Sequence, residues 1–169
     1  GRLIDTETPA AGQYECIGHL PAMYPEWLGD RGFCELHGVR FPYVAGAMAR
    51  GIASVELVVA MGKAGMMGFF GSAGLPLERV RASIARISEQ LGPHTPWGCN
   101  LIHTPEEPAL EAAMVQCFLD NEVTRISASA FMGLSPALAT YAYRGVSEDE
   151  AGQIRRRNYV FAKISRPET

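Results

Sequence analysis

The hydrophobic positions of this chain form short apolar runs that are separated by longer segments with helical spacing. Five runs are predicted to be strands, and they begin near these residues: Tyr43, Met66, Trp97, Val123 and Tyr159. The most regular helical segment spans 76–91, with Pro76 in its first turn and Gly92 after its end. Its apolar residues recur three and four positions apart and so share one face: Leu77, Val80, Ile84, Ile87 and Leu91.

The order of strands and helices indicates the fold class. Further helices are predicted over 54–64, 108–121 and 135–145, and Ser147 and Glu150 have the spacing of a capping box that would open a short extra helix. The strands are apolar without strict alternation, which is typical of parallel strands that are covered on both faces. Strict βα alternation favours either a doubly wound sheet or a (β/α)8 barrel. Because a barrel needs eight strands and five are found, we predict an α/β fold in which this chain supplies about the first five strands of a (β/α)8 TIM barrel.

Two parts of the chain differ in their pattern. Residues 1–41 contain several prolines and glycines and no sustained period, so we predict a lead-in that packs on the barrel, with Tyr24 and Trp27 as packing anchors. Residues 42–169 carry the repeating strands and helices. They are predicted to be the first, incomplete part of the barrel.

Composition and charge argue against several classes of function. The chain has 169 residues, 47% hydrophobic and 20% charged, which is enough for one domain with a core. Its net charge is −3 and it has no basic stretch, so neither nucleic acid nor a membrane surface is an expected partner. No apolar run reaches the roughly 18 residues of a membrane-spanning helix. Residues 1–12 lack the apolar core of a signal peptide, so a cytoplasmic location is expected.

The four cysteines are widely spaced and form no Cys-x-x-Cys pair, which favours reduced thiols. Cys16, His19, Cys34 and His37 follow one another in an order that matches a zinc knuckle only loosely. We therefore expect these to be scattered surface and core residues, and we expect no metal site.

The first predicted strand ends in a turn of small residues. Residues 43–45 are predicted to form a buried strand, and the strand end and turn comprise Ala45, Gly46, Ala47, Met48 and Ala49. Small residues at a strand end let the backbone approach a flat or bulky group closely, because no side chain intervenes. We interpret this turn as the mouth of a βα unit that faces a flavin ring.

A glycine-rich stretch follows the second predicted strand. Gly65, Gly68, Gly71 and Gly74 fall three residues apart, but a dinucleotide fingerprint would follow the first strand and open a helix. Two interpretations remain for 71–74: a phosphate-binding loop, and the favoured one, a tight loop with close backbone approach.

Polar residues near the strand ends are the candidates for chemistry, because the carboxyl ends of barrel strands converge on the active site. Asn100 either contacts the edge of a flavin or pairs with a neighbouring loop. Lys163, in the fifth strand, either stabilises the anionic end of a reduced flavin or extends into solvent. Ser127 and Ser129 are expected to form a small polar wall, since no G-x-S-x-G elbow surrounds them. His103 lies at the end of the third predicted strand, a position suited to a proton donor, although a single histidine in a loop is more often structural.

Several stretches that together cover most of the chain resemble one protein family. They are FPYVAGAMARGIAS, AGMMGFFGSAGL, NLIHTPEEPALE, SASAFMGLSPALATYAYRG, AKISRPE and, in the lead-in, LPAMYPEWLGDRGF. As a set they resemble the N-terminal part of the flavin-dependent enoyl reductases of trans-acyltransferase polyketide synthases and polyunsaturated fatty acid synthases. These enzymes are relatives of nitronate monooxygenase.

The resemblance implies an FMN-bearing TIM barrel in which NADPH reduces the flavin. Hydride then passes to the β-carbon of an unsaturated acyl thioester on an acyl carrier protein. By the same resemblance, the turn from Ala45 to Ala49 would lie along the flavin, Asn100 and Lys163 would touch its ring, and Ser127 would belong to the fourth-strand wall. The family's histidine and phosphate-binding loops come after the fifth strand and match nothing here. The catalytic residue is therefore unassigned, and His103 is a candidate by position alone.

The resemblance also implies partners. An acyl carrier protein would bring the substrate, and the remaining part of the barrel would come as a second chain or a cleaved segment; a homodimer is a further option. We expect the chain alone to hold FMN poorly and to be inactive. Two other functions stay open: a nitronate-oxidising or isomerising flavin enzyme on the same scaffold, and a non-catalytic docking fragment.

Overall fold

The computed structural model describes residue 14 and residues 17–164 of the chain. Its strands, in chain order, are β1 (Val44–Ala45), β2 (Met67–Phe70), β3 (Gly98–Ile102), β4 (Arg125–Ser129), β5 (Ser147–Glu148), β6 (Ile154–Arg155) and β7 (Tyr159–Ala162). Five strands pair in the order β1-β2-β3-β4-β7, and every pair is parallel. This sheet, with a helix in each connection, confirms the predicted fold class, since the chain supplies five strands of a (β/α) barrel.

The α-helices of the described residues are α1 (Arg31–His37), α2 (Val55–Lys63), α3 (Leu77–Leu91), α4 (Pro108–Asp120) and α5 (Pro136–Tyr143). Side chains cap three of these helices by accepting a backbone N–H that has no intrahelical partner. Asp30, Ser54 and Ser135 do this for α1, α2 and α5, respectively. None of the helices in the described part is long and apolar enough to span a membrane.

The main core lies between the sheet and the helices. Four of its strand residues belong to β3 and β4, and they pack against apolar side chains of the helices: Cys99, Leu101, Ile126 and Ala128. Phe118 and Tyr141 are fully buried in this core, where each side chain contributes about 1.5–3 kcal/mol relative to exposure. The Tyr141 hydroxyl donates to the carbonyl of Val123 at 2.8 Å. Burial raises the pKa of Tyr141, so this donor stays protonated.

Helix α1, which the sequence pattern does not predict, packs against the opposite face of the sheet. Its Phe33 ring lies 6.1 Å from the ring of Phe161 on β7, and its His37 ring lies 5.1 Å from that of Tyr159. Val39, which follows the helix, joins a small apolar cluster with two residues of β2. The segment 31–39 therefore contributes to the inner face of the partial barrel. The division at residue 41 stays a prediction.

The short extra helix predicted at Ser147 is wrong. Strands β5 and β6 form an antiparallel hairpin in its place. The Asp149 carboxylate accepts the backbone N–H groups of Ala151 and Gln153, and Gly152 has a positive φ of 75°. These local bonds stabilise a turn that competes with the helix, because an aspartate can satisfy turn N–H groups directly.

Two expectations about burial also differ from the structure. β1 is not buried, because it is an edge strand of the described sheet and Val44 is exposed. Tyr24 and Trp27 are exposed and pack on each other, with ring centroids 4.9 Å apart. Within the described residues they therefore do not anchor the lead-in on the barrel.

Candidate functional site

The inner face of the sheet carries polar residues near the C-terminal ends of its strands. In the strand register, Asn100 of β3 lies opposite Ser127 of β4, and Ser127 lies opposite Phe161 of β7. Two steps toward the C-terminal end, Ile102 lies opposite Ser129. Residues of one register row point to the same face of a parallel sheet, so Asn100 and Ser127 come together as the strand-end argument predicts.

Asn100 is buried and bonded to the neighbouring strand β4. Its side chain is only 4% exposed, and its Nδ2 donates to the carbonyl of Ser127 at 2.9 Å and to the hydroxyl of Ser129 at 3.0 Å. Both amide hydrogens are therefore used by β4. Within residues 17–164 no group donates to its amide oxygen, which leaves that oxygen as an acceptor for a ligand. The side chain thus pairs with its neighbour strand and still offers one polar atom.

The loop after β2 comes very close to the small-residue turn after β1. Gly71 donates to the carbonyl of Ala53 at 2.9 Å and accepts from the backbone N–H of Gly51 at 2.8 Å. The backbone N–H of Arg50 donates to the carbonyl of Ala73 at 2.8 Å. These bonds confirm the favoured interpretation of 71–74 as a tight loop with close backbone approach. Ser72 adds a bond that the sequence did not indicate, because its hydroxyl donates to the Asn100 carbonyl at 2.6 Å.

Lys163 lies one residue beyond β7, not within the strand as predicted. Its backbone N–H still continues the ladder by donating to the carbonyl of Ala128 at 2.9 Å. Its ammonium group donates to the carbonyl of Ala47 at 3.2 Å and is otherwise exposed. This bond links the end of β7, at one edge of the sheet, to the turn after β1, at the other edge. The structure therefore brings Lys163 to the small-residue turn.

These residues fit a flat, hydrogen-bonding ring. The turn from Ala45 to Ala49 presents backbone and methyl groups apart from Met48, and a Cβ placed on Gly46 would meet no atom within 4 Å. Asn100 supplies an acceptor and Lys163 a positive charge at the same end of the sheet. A flavin ring has N–H and carbonyl groups on its edge, and a charge near it tunes its electronics. The residues present are therefore chemically suited to FMN.

The side chain of His103 contacts a different set of residues. Its Nδ1 bonds to the Glu111 carboxylate at 2.8 Å, and its ring packs on that of Phe131 with centroids 4.8 Å apart. Glu111 also accepts the backbone N–H of Thr104 at 3.1 Å and the hydroxyl of Ser135. The contacts of His103 are therefore to α4, to Phe131 in the loop before α5 and, through its backbone N–H, to the carbonyl of Ser129, and not to Asn100 or Lys163. This arrangement favours the structural interpretation of His103.

Glu111 is a buried carboxylate that the sequence did not single out. Burial alone would raise its pKa, but the hydrogen bonds from Ser135, Thr104 and His103 together lower the pKa below its usual range. The carboxylate is thus ionised at neutral pH and joins the loop after β3 to the first turn of α5. Its position inside NLIHTPEEPALE was the only signal in the sequence.

Replacing Glu111 by glutamine is expected to lower the free energy of unfolding at pH 7 by about 1–3 kcal/mol, because charge-assisted bonds are lost in a buried site. A carboxylate with a lowered folded-state pKa stabilises above its unfolded pKa, and this stabilisation is lost as pH falls through the folded pKa. The difference between E111Q and the parent chain should therefore shrink below about pH 4. Urea unfolding from about pH 3 to 7 measures it, with the exposed Glu107→Gln as control. A difference that does not depend on pH would contradict this account.

The three possible zinc ligands within the described residues, His19, Cys34 and His37, do not form a metal-binding group. His37 is buried against Tyr159 and Phe161, His19 is exposed, and Cys16 lies outside the described residues. Among the described residues, no group of three or more histidine, cysteine or acidic side chains could hold a metal ion. Cys34, Cys99 and Cys117 are free thiols.

Comparison with known proteins extends this picture. No family model matches the chain. It is 45% identical over 141 residues to a polyunsaturated fatty acid synthase polypeptide of Thraustochytrium sp., and the match covers 83% of this chain and 9% of that protein. It is 41% identical over 143 residues to the polyketide biosynthesis protein PksE of Bacillus subtilis, covering 85% and 19%. The chain thus spans less than a fifth of either relative.

A solved structure matches the fold as well as the sequence. The enoyl reductase domain of MlnA, from the macrolactin biosynthesis cluster of Bacillus amyloliquefaciens, superposes with a TM-score of 0.82 at 37% identity, covering 85% of this chain and 33% of that one. Fold and strand-end residues define the chain as part of a (β/α)-barrel protein. The comparisons confirm the resemblance stated from its motifs: the chain matches a part of the enoyl reductases of trans-acyltransferase polyketide synthases and polyunsaturated fatty acid synthases.

Proposed function

We propose that this chain is part of an enoyl reductase that acts with FMN and NADPH on the α,β double bond of an enoyl thioester carried by an acyl carrier protein. When bound, FMN would carry hydride from NADPH to the substrate β-carbon. The observation that carries the proposal is the contact between Lys163 and the Ala47 carbonyl, which holds a cation over the small-residue turn. The polyketide and polyunsaturated fatty acid synthase relatives support the substrate class.

The residues of this chain would bind and orient the cofactor. The backbone of Ala45 to Ala49 would lie along the ring, and the Asn100 amide oxygen would accept an N–H from its edge. Ser127 and Ser129 hold the Asn100 amide in the orientation that this bond needs. The Lys163 ammonium would stabilise negative charge that reduction places on the ring.

The proposal includes partners and a location. Between residues 17 and 164, β1 and β7 each have one unpaired edge, and an apolar groove of about 800 Å³ lies beside β7, α1 and α5. Unpaired edges and exposed apolar surface favour a covering partner. We propose that the remaining part of the barrel, as a second chain or a cleaved segment, covers this side, and that the chain alone is inactive. An acyl carrier protein would deliver substrate in the cytoplasm, and a homodimer is a further option.

Replacing Lys163 by methionine in the complete reductase is expected to weaken FMN binding about tenfold, which corresponds to about 1.4 kcal/mol. The reason is the loss of one cation beside the ring, while the exposed side chain contributes little to folding. Flavin fluorescence during titration measures the affinity. Lys63→Met, an exposed lysine at the end of α2, serves as the control. Equal FMN affinities of the two variants would show that Lys163 does not contribute to cofactor binding.

The reaction itself is tested by anaerobic spectroscopy on the complete reductase. NADPH should bleach the flavin absorbance rapidly, and a crotonyl thioester should restore it without oxygen. Reoxidation by oxygen or a nitronate alone would favour the oxidase alternative. Absence of flavin from the complete protein would favour a docking fragment.

A further inference from the structure

A cavity beside the small-residue turn extends beyond the residues proposed to contact the cofactor. Its volume is about 570 Å³, and it is lined by the loop after β2, the end of β3 and the first turns of α4. Ala49 and Asn100 line it too, so it adjoins the candidate flavin site directly. Small-molecule sites commonly have volumes of about 300–1,000 Å³ and mostly apolar walls. The position and size of this cavity are therefore those of a substrate site.

The cavity wall is mainly apolar. Besides Ala49 and Pro76, six of its residues share this character: Ala73, Leu75, Leu101, Ile102, Leu110 and Met114. Leu101 and Met114 are buried and form the deeper wall, whereas Ile102 and Leu110 are 39% and 44% exposed. Two large aliphatic side chains exposed at one opening favour an apolar ligand that covers them, because each buried CH₂ contributes about 0.8 kcal/mol.

The charged groups of the cavity also favour a ligand with an apolar tail and a polar head. Glu111 lines the cavity, but its two carboxylate oxygens are already bonded to Ser135, His103 and Thr104. Arg50 and Glu107 also line the cavity, and both residues are exposed to solvent. A buried apolar wall with a polar rim suits an acyl chain whose head group stays at the opening.

We propose that this cavity receives the acyl chain of the carrier-bound thioester, and that Leu110 and Met114 set the length of chain that fits. The inference rests on the proposed function, since it gives the substrate of that reaction a place. A thioester beside Ala49 and Asn100 would bring its double bond to the flavin. Its acyl chain would then extend along Ile102 and Leu110 toward Met114.

Calorimetric titration of the complete reductase with decanoyl-pantetheine and acetyl-pantetheine tests the acyl site without turnover. The parent protein should bind the decanoyl probe at least about tenfold more tightly than the acetyl probe. Leu110→Glu should lose this preference, because a charge at the opening faces the chain, and the position is exposed enough to tolerate it. Ala112→Glu places the same charge at another exposed position of α4 and should keep the preference. Circular dichroism checks that both variants are folded.

Kinetics provide a second readout. In L110E the KM for a 2-decenoyl thioester should rise at least about tenfold, while the KM for a crotonyl thioester should change less than about twofold.

Equal binding of the two probes by the parent protein, or the same loss in both glutamate variants, would overturn the acyl site. A protein that fails to reduce crotonyl thioester with FMN and NADPH would overturn the proposed function, and the titration would still decide whether the cavity binds an acyl chain.

Discussion

Replacing Gly71 by alanine is expected to lower the free energy of unfolding by roughly 3 kcal/mol or more, as the severest single substitutions do. An added Cβ would lie 2.7 Å from the carbonyl carbon of Met48 and closer still to its oxygen. Both are backbone atoms, so no side-chain rotation relieves the overlap. The two loops would have to separate, which breaks the bonds of Gly71 to Gly51 and Ala53. Urea unfolding monitored by circular dichroism measures the loss.

Gly133→Ala is the matched control for this experiment. A Cβ at Gly133 would meet no atom within 4 Å, and its φ is not in the positive region. Its unfolding free energy should change by no more than about 0.5 kcal/mol. If both alanine variants were equally stable, the close approach of the two loops would not be a feature of the folded protein. Because the same loops position the turn at Met48, G71A should also lose FMN binding in the complete reductase.

Replacing Asn100 by aspartate is expected to cost about 2–3 kcal/mol at pH 7 and to abolish FMN binding. The exchange removes both amide hydrogens and places an oxygen against the Ser127 carbonyl, which also has no hydrogen to donate. The introduced carboxyl is buried and faces an acceptor, so its pKa should rise above the usual aspartate range.

The pH dependence gives this prediction a distinct signature. A carboxyl with a raised folded-state pKa destabilises the fold above that pKa, so N100D should regain stability as pH falls and the group becomes protonated. A protonated carboxyl can again donate to the Ser127 carbonyl. Gln90→Glu makes the same amide-to-carboxylate exchange at an exposed position of α3 and should change stability by less than about 0.5 kcal/mol. If N100D unfolded like Q90E at every pH, the bonds of Asn100 to β4 would be unimportant for stability.

Local patterns account for what could be predicted of the fold. Helix α3 was predicted over 76–91 and observed over Leu77–Leu91, because its apolar spacing and the glycine after it act within one segment. Helix α1 escaped prediction because it has only seven residues and its partners, such as Phe161, are far away in the sequence. The hairpin at β5 and β6 was mistaken for a helix since Ser147 and Glu150 imitate a cap, while the competing turn bonds come from Asp149.

The residues of the candidate site also divide into features that the sequence predicted and features that only the structure revealed. Asn100 and Ser127 could be placed at the same end of the sheet from sequence, because parallel strands bring their carboxyl ends to one edge, but their opposite positions in β3 and β4 come from the structure. Lys163 could be named, but not its contact with the Ala47 carbonyl across 116 residues. The interpretation of His103 depended on Glu111, whose carboxylate has three partners on two segments of the chain, His103 and Thr104 after β3 and Ser135 before α5. Residue type and strand order suggest candidates, whereas hydrogen bonds between distant segments decide which of them meet.

The sequence by itself determined the βα repeat, the small-residue turn and the family that the motifs resemble, because periodicity, capping and motif spacing are properties of neighbouring residues. Only the tertiary structure decided that α1 lies on the inner face, that Gly71 contacts the turn at Met48, and that His103 bonds to Glu111. These contacts join segments far apart in the chain. Their free energy depends on burial, close packing and hydrogen-bond geometry, which exist only once the sheet has assembled.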